Sequence, residues 1–200
     1  MRNRKYFIGV LLLVALDQIT KLLVKGFSIG GITIPGMQLY ESIPVFGDFL
    51  RITYVENPGM AFGIEFGEGK IFLTFLSIAI AIAVFWYLWR LDDSAPVVLK
   101  IALMLILAGA IGNLIDRTFY GVLFGEAPLF YGKVVDFIDV EFPDFTLFGK
   151  HFTRWPVFNI ADSCVTIGVL LLLFSPSALS ATGSRKPVEQ VPETPPATNE

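Results

Sequence analysis

The sequence predicts an all-α polytopic membrane protein with four transmembrane helices and a small β-sheet subdomain in its outer loops. Its 200 residues are 54% hydrophobic and only 16% charged, whereas soluble domains carry about 25% charged residues. The mean hydropathy is +0.66. Four stretches approach the roughly 20 mostly apolar residues that a bilayer-spanning helix needs. These stretches are residues 6–25, 71–89, 97–115 and 157–174.

The net charge and the cysteine count exclude several classes of protein. A net charge of −3 and a pI near 5.2 leave no basic surface for phosphate groups, which excludes a nucleic-acid-binding protein. Cys164 is the only cysteine, so the chain has no disulfide framework. His151 is the only histidine, and together these two residues are too few for a zinc site.

The distribution of Lys and Arg predicts the orientation in the membrane. Residues 1–5 contain three cations, and no small-x-small cleavage site follows the first apolar stretch, so we expect it to be retained as a helix. With both termini in the cytoplasm, the inner segments have about twice the density of Lys and Arg of the outer ones. Loops 26–70 and 116–156 then face the extracytoplasmic side.

The outer loops contain strand patterns, and the C-terminus is polar. Residues 50–54 alternate apolar and polar side chains, which predicts a half-buried strand over 49–55. We expect one or two further strands within 116–156. The five prolines and scattered charges after Ser175 predict a disordered cytoplasmic tail over 175–200. Residues 1–174 are therefore expected to form a single membrane-embedded domain.

Three of the apolar stretches carry polar side chains at one depth. The members of each set are spaced three or four residues apart, so each set lies on one helix face. In the predicted orientation all three sets reach the outer edge of the membrane. Ionisable residues inside a span are costly and indicate a functional site. The sets are Asp17 with Lys21, Asn113 with Asp116 and Arg117, and Asn159 with Asp162.

Structural roles compete with functional ones for most of these side chains. The acid–base neighbours within the first and second sets can neutralise each other as ion pairs. The asparagines can join helices through hydrogen bonds. Asp162 differs, because no cation lies within one turn on its own helix. It is therefore the strongest single candidate for a catalytic residue.

Several reaction chemistries remain open at this stage, with unequal support. A His- or Cys-based mechanism would need His151 or Cys164, which lie in a loop and within a helix respectively. A Ser–Lys dyad with Lys21 as the base lacks a serine marked by any local pattern. A divalent metal held by carboxylates is a further alternative.

A pair of aspartates has the strongest support. Two neighbouring carboxyl groups share one proton, so the ionised one can activate water while the neutral one donates to the scissile carbonyl. Asp136 is the preferred partner for Asp162, because it lies between apolar residues. Asp139 and Asp144 lie in more acidic and more open sequence and remain weaker candidates.

At these residues the sequence resembles the lipoprotein signal peptidases, or type II signal peptidases, which are aspartic membrane enzymes of bacteria. Five blocks match the family in order and lie near the outer boundary of the membrane. They are Asp17–Lys21, Asn57–Phe62, Gly112–Arg117, Gly132–Phe137 and Trp155–Asp162.

The resemblance implies an aspartic endopeptidase with no metal or other cofactor, whose catalytic dyad is Asp136 and Asp162. Its substrates would be bacterial prolipoproteins, cut N-terminal to the diacylglyceryl-modified cysteine, and its inhibitors globomycin-type cyclic peptides. The implied setting is the lipid of the bacterial inner membrane, with four helices and a small extracytoplasmic sheet. Asn57, Asn113, Arg117 and Asn159 would line the substrate site, and Asp17, Lys21 and Asp116 would support it.

The sequence departs from the family pattern between Asp116 and Asp136, whose separation is twice the usual one. Residues 122–131 therefore resemble an insertion, which we expect to form a loop over the active site. Two other functions are weaker alternatives. A transporter or proton-coupled channel would place its ion site near the bilayer midplane between repeated halves. A scaffold without chemistry would not explain Asp162.

Overall fold

The computed structural model describes residues 3–59, 70–147 and 149–175. The helices are α1 (Arg4–Lys25), α2 (Lys70–Arg90), α3 (Val97–Ile115), α4 (Gly121–Leu123) and α5 (Ile160–Phe174). A π-helical turn, Asp116–Tyr120, connects α3 to α4. The strands are β1 (Phe27–Ile29), β2 (Ile32–Ile34), β3 (Ser42–Phe46), β4 (Leu50–Asn57), β5 (Val134–Leu147) and β6 (Lys150–Arg154).

Long helices lie where the sequence has its four apolar stretches. Helix α5 begins three residues later than expected, because Asn159 is its N-cap. Within the described part of the chain, Arg4–Lys25 and Val97–Leu123 are long and apolar enough to cross a bilayer. Shorter apolar helical stretches are Thr74–Arg90 within α2 and Ile160–Phe174, which is α5. Four membrane crossings therefore stay a prediction.

Large apolar side chains on α1 and α2 point away from the interior of the protein. Leu11 of α1 is 69% exposed, and Phe72 and Ile82 of α2 are each 63% exposed. Contiguous apolar surface of this kind marks an interaction with a partner or a membrane. Inside, α3 packs against α1, α2 and α5, so its buried residues form the centre of the helical layer.

Glycines allow α3 and α5 to approach closely. A Cβ atom at Gly109 would collide with the carbonyl oxygen of Ala161, and one at Gly168 would lie 2.8 Å from the carbonyl oxygen of Ala102. Small residues at helix contacts are typical of membrane proteins. This close approach brings the C-terminal end of α3 next to the first turn of α5.

The strands form a larger sheet than expected. Strands β3, β4, β5 and β6 form an antiparallel sheet in that order, and β1 pairs with β2 in a separate hairpin. The predicted strand over 49–55 corresponds to β4, and β5 and β6 are the further strands expected within 116–156. The sequence did not predict strands β1 to β3. Strands β1 and β2 are only three residues long, and β3 contains Pro44. The chain thus combines helices with β-sheets.

Two expectations concern segments beyond the described residues. The tail predicted over 175–200 lies outside the described residues except for Ser175, and Met60, Ala61 and Phe62 of the second family block lie in 60–69, which is also outside them. Both expectations stay predictions, as does the boundary of the membrane domain at residue 174.

Candidate active site

A fully buried lysine is the centre of the polar cluster between the helices. The Lys21 Nζ atom lies 2.9 Å from Asp17 Oδ2 and 2.8 Å from Asp116 Oδ2, and it donates to Asn113 Oδ1 over 3.0 Å. These three acceptors use all three protons of the ammonium group. A charge buried this completely is stable only when it is paired and hydrogen-bonded.

The ion pair of Asp116 differs from the one suggested by its neighbours in sequence. Asp116 pairs with Lys21 of α1, not with the adjacent Arg117. Successive residues of a helix point about 100° apart, so Asp116 faces α1 while Arg117 lines a different surface. The expected pair of Asp17 with Lys21 is present.

Two asparagines connect the candidate catalytic aspartates. Asn113 Nδ2 donates to Asp162 Oδ1 over 2.8 Å. Asn159 Nδ2 donates to Asp136 Oδ1 over 2.7 Å and to Asn113 Oδ1 over 3.1 Å. A continuous series of hydrogen bonds therefore leads from one carboxyl group, through both amides, to the other.

The start of α5 holds Asp162 in place. Asn159 is the N-cap, and its Oδ1 atom accepts a 2.9 Å hydrogen bond from the Asp162 N–H. In return, Asp162 Oδ2 accepts a 3.2 Å bond from the Asn159 N–H, which completes a capping box. The Ala161 N–H donates to Asp17 Oδ1 over 2.9 Å. An anion is favoured at a helix N-terminus, so the backbone stabilises both carboxylates.

Asp136 is buried in β5, opposite Val55 of β4. Its side chain accepts hydrogen bonds from Asn159 and from Asn57, the last residue of β4. Burial and the charge of Asp162 raise the pKa of Asp136 to about 7, and they outweigh the opposing effect of these hydrogen bonds. A carboxyl group with this pKa can hold a proton near neutral pH.

Asp139 is buried, contrary to the open setting that its sequence suggests. Arg154 Nε donates to Asp139 Oδ1 over 2.6 Å, and Thr53 Oγ1 donates to Asp139 Oδ2 over 2.6 Å. Side chains three positions apart on a strand point to opposite faces of the sheet. Asp139 therefore joins strands on one face, while Asp136 faces the helices.

A cleft of about 310 Å³ opens between α2, α3 and α5. Asn113, Arg117 and Asp162 form its polar end, and the Arg117 guanidinium interacts electrostatically with Asp162, Asp116 and Asp136. Apolar side chains form most of the remainder. The other lining residues are Ser77, Ile80, Ile106, Gly109, Ala110, Val165 and Thr166.

Eight of the nine candidate residues interact in one cluster through side-chain hydrogen bonds or ion pairs, and Arg117 joins it electrostatically. The eight are Asp17, Lys21, Asn57, Asn113, Asp116, Asp136, Asn159 and Asp162. Two acidic groups, one with a raised pKa, can share a proton and act as a general base and a general acid.

Sequence reasoning assigned no role to Gln18, although it lies in the first family block. Its Nε2 atom donates to Asp116 Oδ1 over 2.9 Å and to the carbonyl oxygen of Gly112 over 3.1 Å. Its Oε1 atom accepts from the Tyr120 hydroxyl over 3.1 Å. The sequence did offer a signal for Gln18, because it is a second polar residue next to Asp17 within an apolar stretch. Ser77 and Thr166 of the cleft gave no such signal.

The family model for signal peptidase II, described as "Signal peptidase (SPase) II", matches residues 9–177. The chain belongs to the signal peptidase II family. It is 36% identical over 168 residues to the lipoprotein signal peptidase of Pelodictyon phaeoclathratiforme, covering 84% of this chain and 87% of that one. It is 39% identical over 160 residues to that of Chlorobaculum tepidum, covering 79% and 85%.

Two solved structures of bacterial membrane enzymes are similar to this chain. A bacterial membrane enzyme determined by the in meso method at 2.3 Å resolution matches with a TM-score of 0.65 and 31% identity, over 92% of this chain and 94% of that one. A second, at 1.9 Å, matches with a TM-score of 0.61 and 34% identity, over 86% and 91%. As a member of the signal peptidase II family, the chain is a membrane peptidase, and therefore a hydrolase.

Proposed function

We propose that this signal peptidase removes the signal peptides of bacterial prolipoproteins, cutting N-terminal to the diacylglyceryl-modified cysteine with an aspartate dyad. The supporting observation is the series of hydrogen bonds that joins Asp162 to Asp136 through Asn113 and Asn159. The relatives from Pelodictyon and Chlorobaculum are named lipoprotein signal peptidases, which supports the choice of substrate.

The dyad carries one proton between its two carboxyl groups. The ionised group removes a proton from a water molecule, and the resulting hydroxide attacks the scissile carbonyl carbon. The neutral group donates its proton to the carbonyl oxygen, which gives a tetrahedral diol. Collapse of this diol breaks the C–N bond as a proton passes to the leaving amine. The two groups titrate as a unit, so the proton belongs to the pair.

The remaining polar residues hold the substrate and the dyad. Asn57, Asn113, Arg117 and Asn159 are proposed to line the substrate site, where Arg117 supplies a positive charge facing both aspartates. Asp17, Lys21 and Asp116 are proposed as supports, because their buried ion pairs fix Asn113 and the start of α5. No metal or other cofactor takes part in this mechanism.

The proposed setting is the bacterial inner membrane, with four crossing helices, cytoplasmic termini and an extracytoplasmic sheet. The exposed apolar side chains of α1 and α2 support contact with lipid. Acyl chains would hold the modified cysteine at the membrane surface, where burial contributes about 0.8 kcal/mol per CH₂ group. The cleft has an apolar wall of Ile80, Ile106 and Val165 beside its polar end. Globomycin-type peptides are expected to compete for it.

Cleavage of a diacylglyceryl-modified precursor by the purified protein tests this proposal. Asp136→Asn and Asp162→Asn should each lower kcat by about 10³-fold or more, since each removes a group that transfers a proton. Asp144→Asn is the matched control, because that side chain is exposed on the same strand as Asp136. A wild-type rate for either dyad variant, or equal cleavage of a precursor without its lipid, would refute the proposal.

A further inference from the structure

The 122–131 segment, which distinguishes this chain from the family pattern, folds back on the end of α3. The Gly132 N–H donates to the carbonyl oxygen of Arg117 over 2.9 Å, and the Phe130 N–H donates to that of Thr118 over 3.1 Å. The segment therefore begins and ends next to the π-helical turn that carries Arg117.

One part of the segment is anchored to α1 through Lys25, the last residue of that helix. Glu126 Oε1 lies 2.7 Å from Lys25 Nζ, and the Phe124 ring centroid lies 4.5 Å from the same atom. The Lys25 side chain is only 6% exposed and also bonds to the Tyr54 hydroxyl and to Glu56 of β4. The buried Lys25 ammonium group therefore binds both this segment and strand β4.

The other end of the segment is anchored to α2 through Phe130. Thr74 Oγ1 donates to the Phe130 carbonyl oxygen over 3.4 Å, and the Phe75 and Phe130 ring centroids are 5.7 Å apart. Phe130 has a φ of 70°, a left-handed conformation that bulky residues seldom adopt without surrounding support. Thr74 lies one helical turn before Ser77, which lines the cleft, so this contact lies about one turn of α2 from the cleft lining.

We propose that the 122–131 segment fixes the distance between α2 and the end of α3 beside the cleft that these helices line. Phe130 is then a positioning residue for substrate specificity, acting through Thr74 and α2. This inference rests on the proposed function. The cleft lies between α2, α3 and α5, so the distance between α2 and α3 is expected to set the size of the side chain that it accepts beside the scissile bond.

Two diacylglyceryl-modified precursor peptides that differ in the residue before the modified cysteine, Ala in one and Leu in the other, test this inference. The wild type should prefer the Ala peptide. Phe130→Ala should lower the Ala-to-Leu ratio of kcat/KM about tenfold, the scale on which apolar sites discriminate by size. The change should come from a lower KM for the Leu peptide. Leu129→Ala, a control at a partly exposed neighbour, should keep the wild-type ratio.

A wild-type ratio in Phe130→Ala would overturn the inference, and so would an equal loss on both peptides, which indicates general destabilisation. Thr74→Val is the second variant, since it removes only the hydroxyl donor to Phe130. It should shift the ratio in the same direction. If Asp136→Asn is inactive while the Phe130 and Thr74 ratios stay unchanged, the proposed function survives and this inference fails. Cleavage of neither peptide by the wild type refutes both.

Discussion

Lys21 and Asp162 are joined through a single amide, that of Asn113. The Oδ1 atom of Asn113 accepts from the buried ammonium group over 3.0 Å, and its Nδ2 atom donates to the carboxylate over 2.8 Å. Because lysine can only donate, this contact fixes which end of the amide faces Asp162. The structural charge cluster of α1 and α3 therefore orients one member of the proposed dyad.

Asn113→Leu should remove the amide that joins Lys21 to Asp162. The substitution leaves one Lys21 proton without its acceptor and removes the donor to Asp162, so we expect a loss of about 1–3 kcal/mol of stability. It should also lower kcat about 100-fold or more, since a positioned group of the dyad loses its orientation. Unfolding and precursor cleavage are measured on the same preparation.

Asn3→Leu is the matched control for that variant. Asn3 is also buried, and its Nδ2 atom donates to the carbonyl oxygens of Leu88 and Leu91 at the other end of the helices. It should lose comparable stability and retain the wild-type kcat. Equal losses of kcat in both variants would contradict a positioning role for Asn113.

Cleavage should decline as pH rises through about 7. Burial and the charge of Asp162 raise the pKa of Asp136 to about 7, so the shared proton is lost above this value and the general acid disappears. The measurement is kcat against pH between 5 and 9 in the same membrane mimetic. A rate that stays flat across this range would argue against a proton held by the dyad.

Asp136→Asn should stabilise the protein at pH 8 but not at pH 4. The folded-state pKa is raised, so the folded protein binds more protons than the unfolded chain between about pH 4 and 7, and stability falls as pH rises through that window. An asparagine removes this penalty, and each pKa unit corresponds to about 1.4 kcal/mol. We expect the free energy of unfolding to rise by at least about 1 kcal/mol at pH 8. Unfolding is measured at both pH values. A gain of equal size at both would exclude titration as its cause.

Lys21→Met should destabilise the protein strongly. It leaves Asp17 and Asp116 buried without their cation, and breaking a buried ion pair in this way costs about 3–5 kcal/mol. Lys133→Met is the control, because that side chain is 44% exposed in its pair with Glu56. Exposed pairs contribute about 1 kcal/mol or less. Unfolding midpoints that fall equally in the two variants would contradict the buried role of Lys21.

Gly109→Ala should separate α3 from α5. The added methyl group would collide with the carbonyl oxygen of Ala161, which belongs to the backbone and cannot rotate away. Overpacking of this kind costs about 1–3 kcal/mol, and activity should fall because Asn113 moves away from Asp162. In Gly9→Ala the new methyl group meets only the flexible Met104 side chain, so a smaller loss is expected there. The unfolding midpoints compare the two.

The sequence predicted the helices and the polar sets well, because hydrophobic length and a spacing of three or four residues are local properties. It could not predict which set would contact which. Asp116 pairs with Lys21 across 95 positions of the chain rather than with the neighbouring Arg117, and only the packing of α1 on α3 decides this. The order of the family blocks identified the residues, but not their contacts.

The strands and their contacts were harder to predict from the sequence than the helices. Strand β4 was predictable from its alternation, whereas β1 and β2 are short and take their register from a hairpin. The burial of Asp139 depends on Arg154, which lies on a different strand. The attachment of Phe130 to α2 likewise needs a contact 56 positions apart. Interactions of this kind have no periodic signature within a single segment.

The bond from the Ala161 N–H to Asp17 Oδ1 joins residues 144 positions apart, and it has a consequence for biosynthesis. The ribosome makes the first helix long before the last. The Asp17 carboxylate therefore gains its hydrogen bond from the Ala161 N–H only after α5 has been synthesised. Until then the proposed dyad also lacks Asp162, which lies in the same last helix. An incompletely synthesised chain is therefore expected to have no peptidase activity. A chain truncated before residue 160 should likewise fail to cleave a precursor.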